Sequence, residues 1–134
     1  MLTIPNEVFQ KMLSAARVSA PLEACGLLAG TGERVNAFYA LTNADASPAH
    51  YSMRPEEQFA AIKAIRRDGL RMLAIWHSHP ASPARMSVED LRLALTPDVA
   101  YAITSLAVPE AVALRAFLVR DGVPEEIALN IVAV

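Results

Sequence analysis

Two histidines one residue apart, His77 and His79, are followed eleven residues later by Asp90, with Ser87 in between and Glu23 far upstream. On a strand, residues i and i+2 project to the same side, so both imidazoles would share one face of a sheet. An aspartate that returns through a short loop can join them, giving two neutral nitrogens and one carboxylate. Those donors suit Zn²⁺, and three protein ligands leave a fourth position for solvent, the layout of a catalytic zinc site. Ser87 and Asp90 also have a plainer reading. Ser-x-x-Asp at a helix start approximates a capping box, and taken alone that is the stronger reading of the pair. The two are compatible, because a carboxylate in a first helical turn is held rigidly, as a ligand must be. Glu89 would face elsewhere and stay solvated. Glu23 taken by itself reads as an exposed carboxylate at a strand edge; if buried, it must be paired, protonated or face a metal. His50, in a polar loop, reads as a surface residue, and Cys25 as a small packed hydrophobe.

The elements that must carry these residues follow from periodicity. Pro5 and Glu7 open a helix with a stripe of Val8, Met12, Leu13 and Ala16, Phe9 beside it, running to about Ser19 before Pro21. The apolar run from Ala24 to Gly30 predicts a buried strand, Thr31-Gly32 a turn, and Val35 to Leu41 a hairpin partner. Thr42 to Ala49 reads as loop and Tyr51 to Arg54 as a brief strand. Pro55-Glu56-Glu57 opens a second helix with Phe59, Ile62 and Ile65 on one face, ending near Gly69. Leu70 to His77 is almost continuously apolar, a strand covered on both faces. It delivers the histidine pair at its C-terminal end, where active-site groups of α/β sheets collect. Pro80 to Met86 is loop, and Ser87 starts a short helix to about Leu95. Val99 to Ala107, Val112 to Arg120 and Ile127 to Val132 are strands, with Asp121-Gly122 the turn between the last two. The expectation is one domain over residues 1–134, of α/β (α+β) class: a single mixed sheet with helices packed on it.

Bulk properties narrow the function. Apolar residues make up 54% and charged residues 19%, which describes a globular chain. A net charge of -2 argues against nucleic acid or an anionic membrane as a partner. The basic cluster from Lys63 to Arg71 is broken by apolar residues at helical spacing and reads as a solvated helix face. One cysteine excludes an internal disulfide and a cysteine-rich zinc cluster. No secretion signal opens the chain and no apolar run approaches the roughly 20 residues of a membrane span, so a cytoplasmic location is expected.

Glu23, then His77-Ser78-His79-Pro80, six residues, Ser87, two residues and Asp90 resembles the motif E…H-[ST]-H-P-x6-S-x-x-D of the JAMM (MPN-plus) metallopeptidases. The stretch Glu23 to Gly30 is similar to the family's E-x-C-G-L-L-x-G strand. The resemblance implies a JAMM/MPN fold with cytidine deaminase-like architecture. It implies that His77, His79 and Asp90 bind zinc, that Glu23 is the general base and that Ser87 hydrogen-bonds the oxyanion. The stretches Pro80–Ser87, Asp90-Leu91 and Tyr101–Ser105 are similar to small prokaryotic members, which act near the Gly-Gly end of ubiquitin-like sulfur-carrier proteins. A zinc-dependent isopeptidase or peptidase is therefore expected, with assembly left open between monomer and homodimer. Trp76 departs from the smaller or tyrosine-like residue usual before the first histidine, a change expected to touch the strand's outer packing. Two rivals share the resemblance: a non-catalytic MPN-type interaction module, whose members usually lack ligands, and a DNA-repair-associated JAB relative, whose motif usually continues Ser-Gly where this chain has Ala81-Ser82. A zinc deaminase would need a Pro-Cys-x-x-Cys pair, which one cysteine cannot supply.

Overall fold

The chain runs β1 (Leu2–Pro5), α1 (Asn6–Ser19), β2 (Cys25–Thr31), β3 (Arg34–Leu41), α2 (Pro55–Arg67), β4 (Arg71–His79), α3 (Val88–Leu93), β5 (Ala100–Ser105), β6 (Ala113–Arg120), β7 (Val123–Ile127) and β8 (Leu129–Val132). The computed structural model describes residues 1–133 and places all eight strands in one sheet, ordered β7-β6-β5-β4-β2-β3-β1-β8. The sheet is mixed: β4 runs antiparallel to β2 and parallel to β5. Helices cover both of its faces, as the continuously buried runs of β2, β4 and β5 require.

β4 is the central strand, and its side chains divide the core in two. Ala74 and Trp76 point to the face packed by α1 through Val8, Met12 and Ala16. Ile75 points to the opposite face, where Ala61 and Ile65 of α2 pack with Leu27, Ala29 and Tyr101. Trp76 is fully buried, its ring edge-on to Phe38 and its Nε1 donating to Thr104 Oγ1 at 2.9 Å. The expected effect on outer packing is thus corrected: this indole is a core residue on the α1 side, with its one polar atom satisfied. By alternation His77 and His79 fall on the α2 side with Ile75.

Several elements differ from expectation, each for a physical reason. Pro5 does not lie in the helix; its extended backbone (φ -60°, ψ 142°) ends β1 and caps α1. That strand is only four residues long, too short for alternation to declare it. Tyr51 to Arg54 makes a single bridge, Asn43 to Met53, in place of a strand. Phe59 is 63% exposed, with Lys63 over its ring, because a six-residue step from Ile65 turns a third of the way round the helix. The last strand divides at Ala128: polar Val123–Ile127 pairs with β6, and Leu129–Val132 pairs with β1. Asp121 and Gly122 both have positive φ and turn β6 directly into β7.

β7 and β8 stand at opposite ends of the strand order yet are separated in the chain by Ala128 alone. The sheet must therefore curl until its two edges meet, and Ala128 O accepts from Leu2 N at 3.0 Å at that seam. Among the described residues no helix is long and apolar enough to cross a membrane.

Candidate metal centre

The C-terminal end of β4 places both imidazoles on one face, with His77 opposite Cys25 of β2 and Ile103 of β5, and His79 opposite Ser105. Both rings are buried. The residue between them, Ser78, faces the other way, where its Oγ accepts from Ala24 N at 2.8 Å while its own N–H donates to Ala24 O at 3.0 Å. The strand carrying the histidines is thereby locked to the residue after Glu23.

Asp90 arrives from α3. Ser87 Oγ accepts from Asp90 N at 3.0 Å and Asp90 Oδ2 accepts from Ser87 N at 3.0 Å, a complete capping box. The capping reading and the convergence of Asp90 on the histidines hold together. Glu89 pairs with Arg92 across the helix surface, away from the cluster.

Three donor atoms now form a nearly equilateral triangle. His77 Nε2 lies 3.0 Å from His79 Nε2 and 3.2 Å from Asp90 Oδ2, and His79 Nε2 lies 3.1 Å from the same oxygen. Tetrahedral zinc with bonds of 2.0–2.1 Å has ligand–ligand edges of about 3.3 Å, so an ion fits with little movement. Proton placement supports a cation here. His79 Nδ1 is 2.8 Å from the carbonyl of Pro83, which can only accept, so Nδ1 carries the hydrogen. A neutral His79 then aims the Nε2 lone pair at a carboxylate oxygen, two acceptors facing each other. Only a proton or a metal between them relieves that contact.

The titration behaviour reflects the same arrangement. Burial would lower His79, but its contacts with Asp90 and Pro83 outweigh that and raise it. Burial would raise Asp90, but the two imidazoles and the Ser87 amide hold it well below the usual carboxylate range. His77 lies deeper and has no such carbonyl; desolvation prevails over Asp90 and lowers it. The partners of one carboxylate thus move in opposite directions because His77 lies deeper and His79 alone has the Pro83 carbonyl.

Glu23 is buried, not an edge residue in solvent, and its Oε1 has no hydrogen-bond partner among the described residues. Desolvation pushes its carboxyl up to about 7, with His79 opposing and Asp90 adding to the rise. Sensing both of those charges, it belongs to the same electrostatic cluster. His50 is exposed as expected, bonded to Asp45 at 2.9 Å, yet its charge is felt by Glu23. Cys25 is packed, with Sγ 3.6 Å from Leu41 O, and burial pushes its thiol up to about 12, which keeps it unreactive. Tyr51 was not singled out in the sequence, yet its ring stacks on His77. A tyrosine in a polar loop carries no signal of such a contact.

The profile of prokaryotic homologs of the JAB domain matches residues 5–118. The chain belongs to that family. It is 34% identical over 134 residues to the CysO-cysteine peptidase of Mycobacterium tuberculosis, covering 98% of this chain and 92% of the relative. It is 35% identical over 130 residues to a probable TtuB-protein conjugate cleaving protease of Thermus thermophilus, covering 96% and 82%. The solution structure of a protein from Desulfitobacterium hafniense superposes with a TM-score of 0.91 at 42% identity, over 99% of this chain and 94% of that one. A JAB1/MPN domain protein from Archaeoglobus fulgidus shares the fold, with a TM-score of 0.68 at 22% identity over 98% and 97%. The chain is accordingly an enzyme of the JAMM peptidase type with the JAB/MPN fold, and the rival readings as a bare interaction module or a repair-associated relative lose ground to it.

Proposed function

We propose that this protein is a zinc-dependent peptidase or isopeptidase that hydrolyses an amide at or near the C-terminus of a ubiquitin-like or sulfur-carrier protein. The observation that carries the reading is the buried triangle of His77, His79 and Asp90, in which His79 presents a lone pair to a carboxylate. His77 Nε2, His79 Nε2 and an Asp90 oxygen would hold the ion. Zn²⁺ bound there supplies Lewis acidity and brings a solvent molecule's pKa down towards roughly 7.

The chain's own groups do the rest. Glu23, whose carboxyl is buried with Oε1 free of any hydrogen-bond partner among the described residues, takes the proton released as solvent adds to the carbonyl and returns it to the departing amine. Ser87 uses an oxygen lone pair on the Asp90 amide, which leaves its hydroxyl proton to donate to the oxyanion. Asp90 keeps its place through the capping box, so binding and helix start reinforce each other. The relatives' names, a CysO-cysteine peptidase and a TtuB-protein conjugate cleaving protease, support an amide joined to a small carrier protein as the substrate class. We place residues 1–134 as one such domain acting in the cytoplasm.

The test combines metal content with product mass. A carrier protein bearing an amide-linked cysteine or extra residues after Gly-Gly is incubated with the zinc-loaded enzyme. The wild type should release the unmodified carrier, and His77→Ala should lose both zinc and turnover. Hydrolysis by metal-free His77→Ala would refute the proposal.

A further inference from the structure

We propose that Tyr51 is the positioning residue of His77 and that Asn43 holds it in place; this rests on the metal-site reading above. A ligating imidazole is ordinarily oriented by its second nitrogen, which donates to a carboxylate, carbonyl or water and so fixes tautomer and ring plane. His79 follows that rule through Pro83. His77 does not, since its Nδ1 is buried with no partner among the described residues.

What holds the His77 ring is the phenol ring of Tyr51. The two centroids lie 4.7 Å apart with planes 25° from parallel. A stacked contact restrains the tilt of an imidazole over its face, where a hydrogen bond would restrain it at its edge. Two ligands on one strand are therefore steadied by two different devices.

Tyr51 lies in the loop joining β3 to α2, where the one β-bridge among the described residues is Asn43–Met53. Side chains add to that restraint: Asp45 accepts from Ser52 Oγ and pairs with His50 Nδ1, both at 2.9 Å, and Asn43 grips the backbone of the same two residues. Asn43 Nδ2 donates to His50 O at 3.0 Å, and Asn43 Oδ1 accepts from Ser52 N at 3.2 Å. Those are the residues on either side of Tyr51. The backbone adds a bond from Ala44 N to Ser52 O at 2.8 Å. Asn43 Nδ2 also donates to Glu23 O at 3.1 Å, while Glu23 N donates to Ser47 O at 2.9 Å. A single carboxamide thus ties the segment bearing the base to the segment bearing the ring. Only a side chain with both donors and an acceptor can do this, so aspartate, with no donor, cannot replace it.

The full-length protein is tested by zinc affinity in chelator competition and by the visible spectrum of its cobalt(II) form. Tyr51→Phe keeps the ring and should bind zinc within about threefold of wild type, whereas Tyr51→Leu should bind roughly 10-fold or more weakly, with an altered cobalt spectrum. Asn43→Asp should move both readouts in the direction of Tyr51→Leu while leaving the ring itself in the chain. If Tyr51→Leu does not fold, Asn43→Asp carries the comparison by itself. Tyr51→Leu, or failing it Asn43→Asp, with wild-type affinity and spectrum would overturn the inference and leave the metal centre standing. Tyr51→Phe as weak as Tyr51→Leu would equally overturn the stacking account. A wild type that takes up no zinc would instead sink the metal-site reading, and this inference with it.

Discussion

Glu23 is a carboxyl group kept out of water within the electrostatic reach of His79, Asp90 and His50, and its protonation is linked to stability. In the unfolded chain it titrates near 4.5, and in the folded, metal-free protein at about 7. A raised acid is favoured protonated, so its stabilising contribution is complete below 4.5 and is lost as the pH rises through about 7. That difference is on the order of 3 kcal/mol. Glu23→Gln is neutral throughout, so urea unfolding of metal-free protein should show less loss of stability from pH 5 to pH 8 in the variant than in wild type. Identical pH dependence would mean that this carboxyl is not desolvated. The same variant should retain zinc but lose roughly 10²–10⁴-fold in turnover. The histidine pair was legible from its spacing, whereas Asp90, Ser87 and Glu23 were legible as site residues only through the resemblance to the JAMM motif, since by themselves they read as a helix cap and an exposed strand edge. Asn43 and Tyr51 were not, because an asparagine and a tyrosine in a polar loop acquire their meaning only from the path the loop takes.

α3 is six residues long and depends on its first turn, so a single hydroxyl serves both the helix and the proposed chemistry. The two duties separate by substitution. Glycine is nearly as good an N-cap as serine, so Ser87→Gly should cost a few tenths of a kcal/mol in stability, against about 1 kcal/mol for Ser87→Ala. Both should lose on the order of 10²-fold in rate, since neither offers a donor to an oxyanion. Thermal unfolding read beside turnover tests this; Ser87→Gly with full activity would restrict Ser87 to capping. At this scale the strongest sequence signals belonged to long elements that contribute many residues to the core. β4 was plain from its apolar run, and α1 from its stripe. The elements that escaped lie towards the two ends of the strand order: β1 is too short to show a period, and the Pro-Glu-Glu stretch of β7 gains its strand form from pairing with β6, not from its own composition.

The whole molecule is held in one curled sheet whose edges meet at Ala128. Removing residues 129–134 would strip β1 of β8, the more extensive of its two parallel pairings, and uncover Leu2 and Ile4, both buried in the α1-side core. The truncated chain should melt at a lower temperature and expose its amides in β1 to hydrogen exchange, while β4 and β5 keep their protection longest. Equal protection of β1 in both chains would contradict the role given to this seam. Such a closure could not be read from the sequence, because nothing in Leu129–Val132 names β1 as its neighbour. The seam also has a temporal meaning. β1 is synthesised long before its partner β8, with every other strand of the sheet made in between. The barrel-like wrap can therefore close only once β8 has been made, whereas the strand bearing the histidines can pair with β2 well before that.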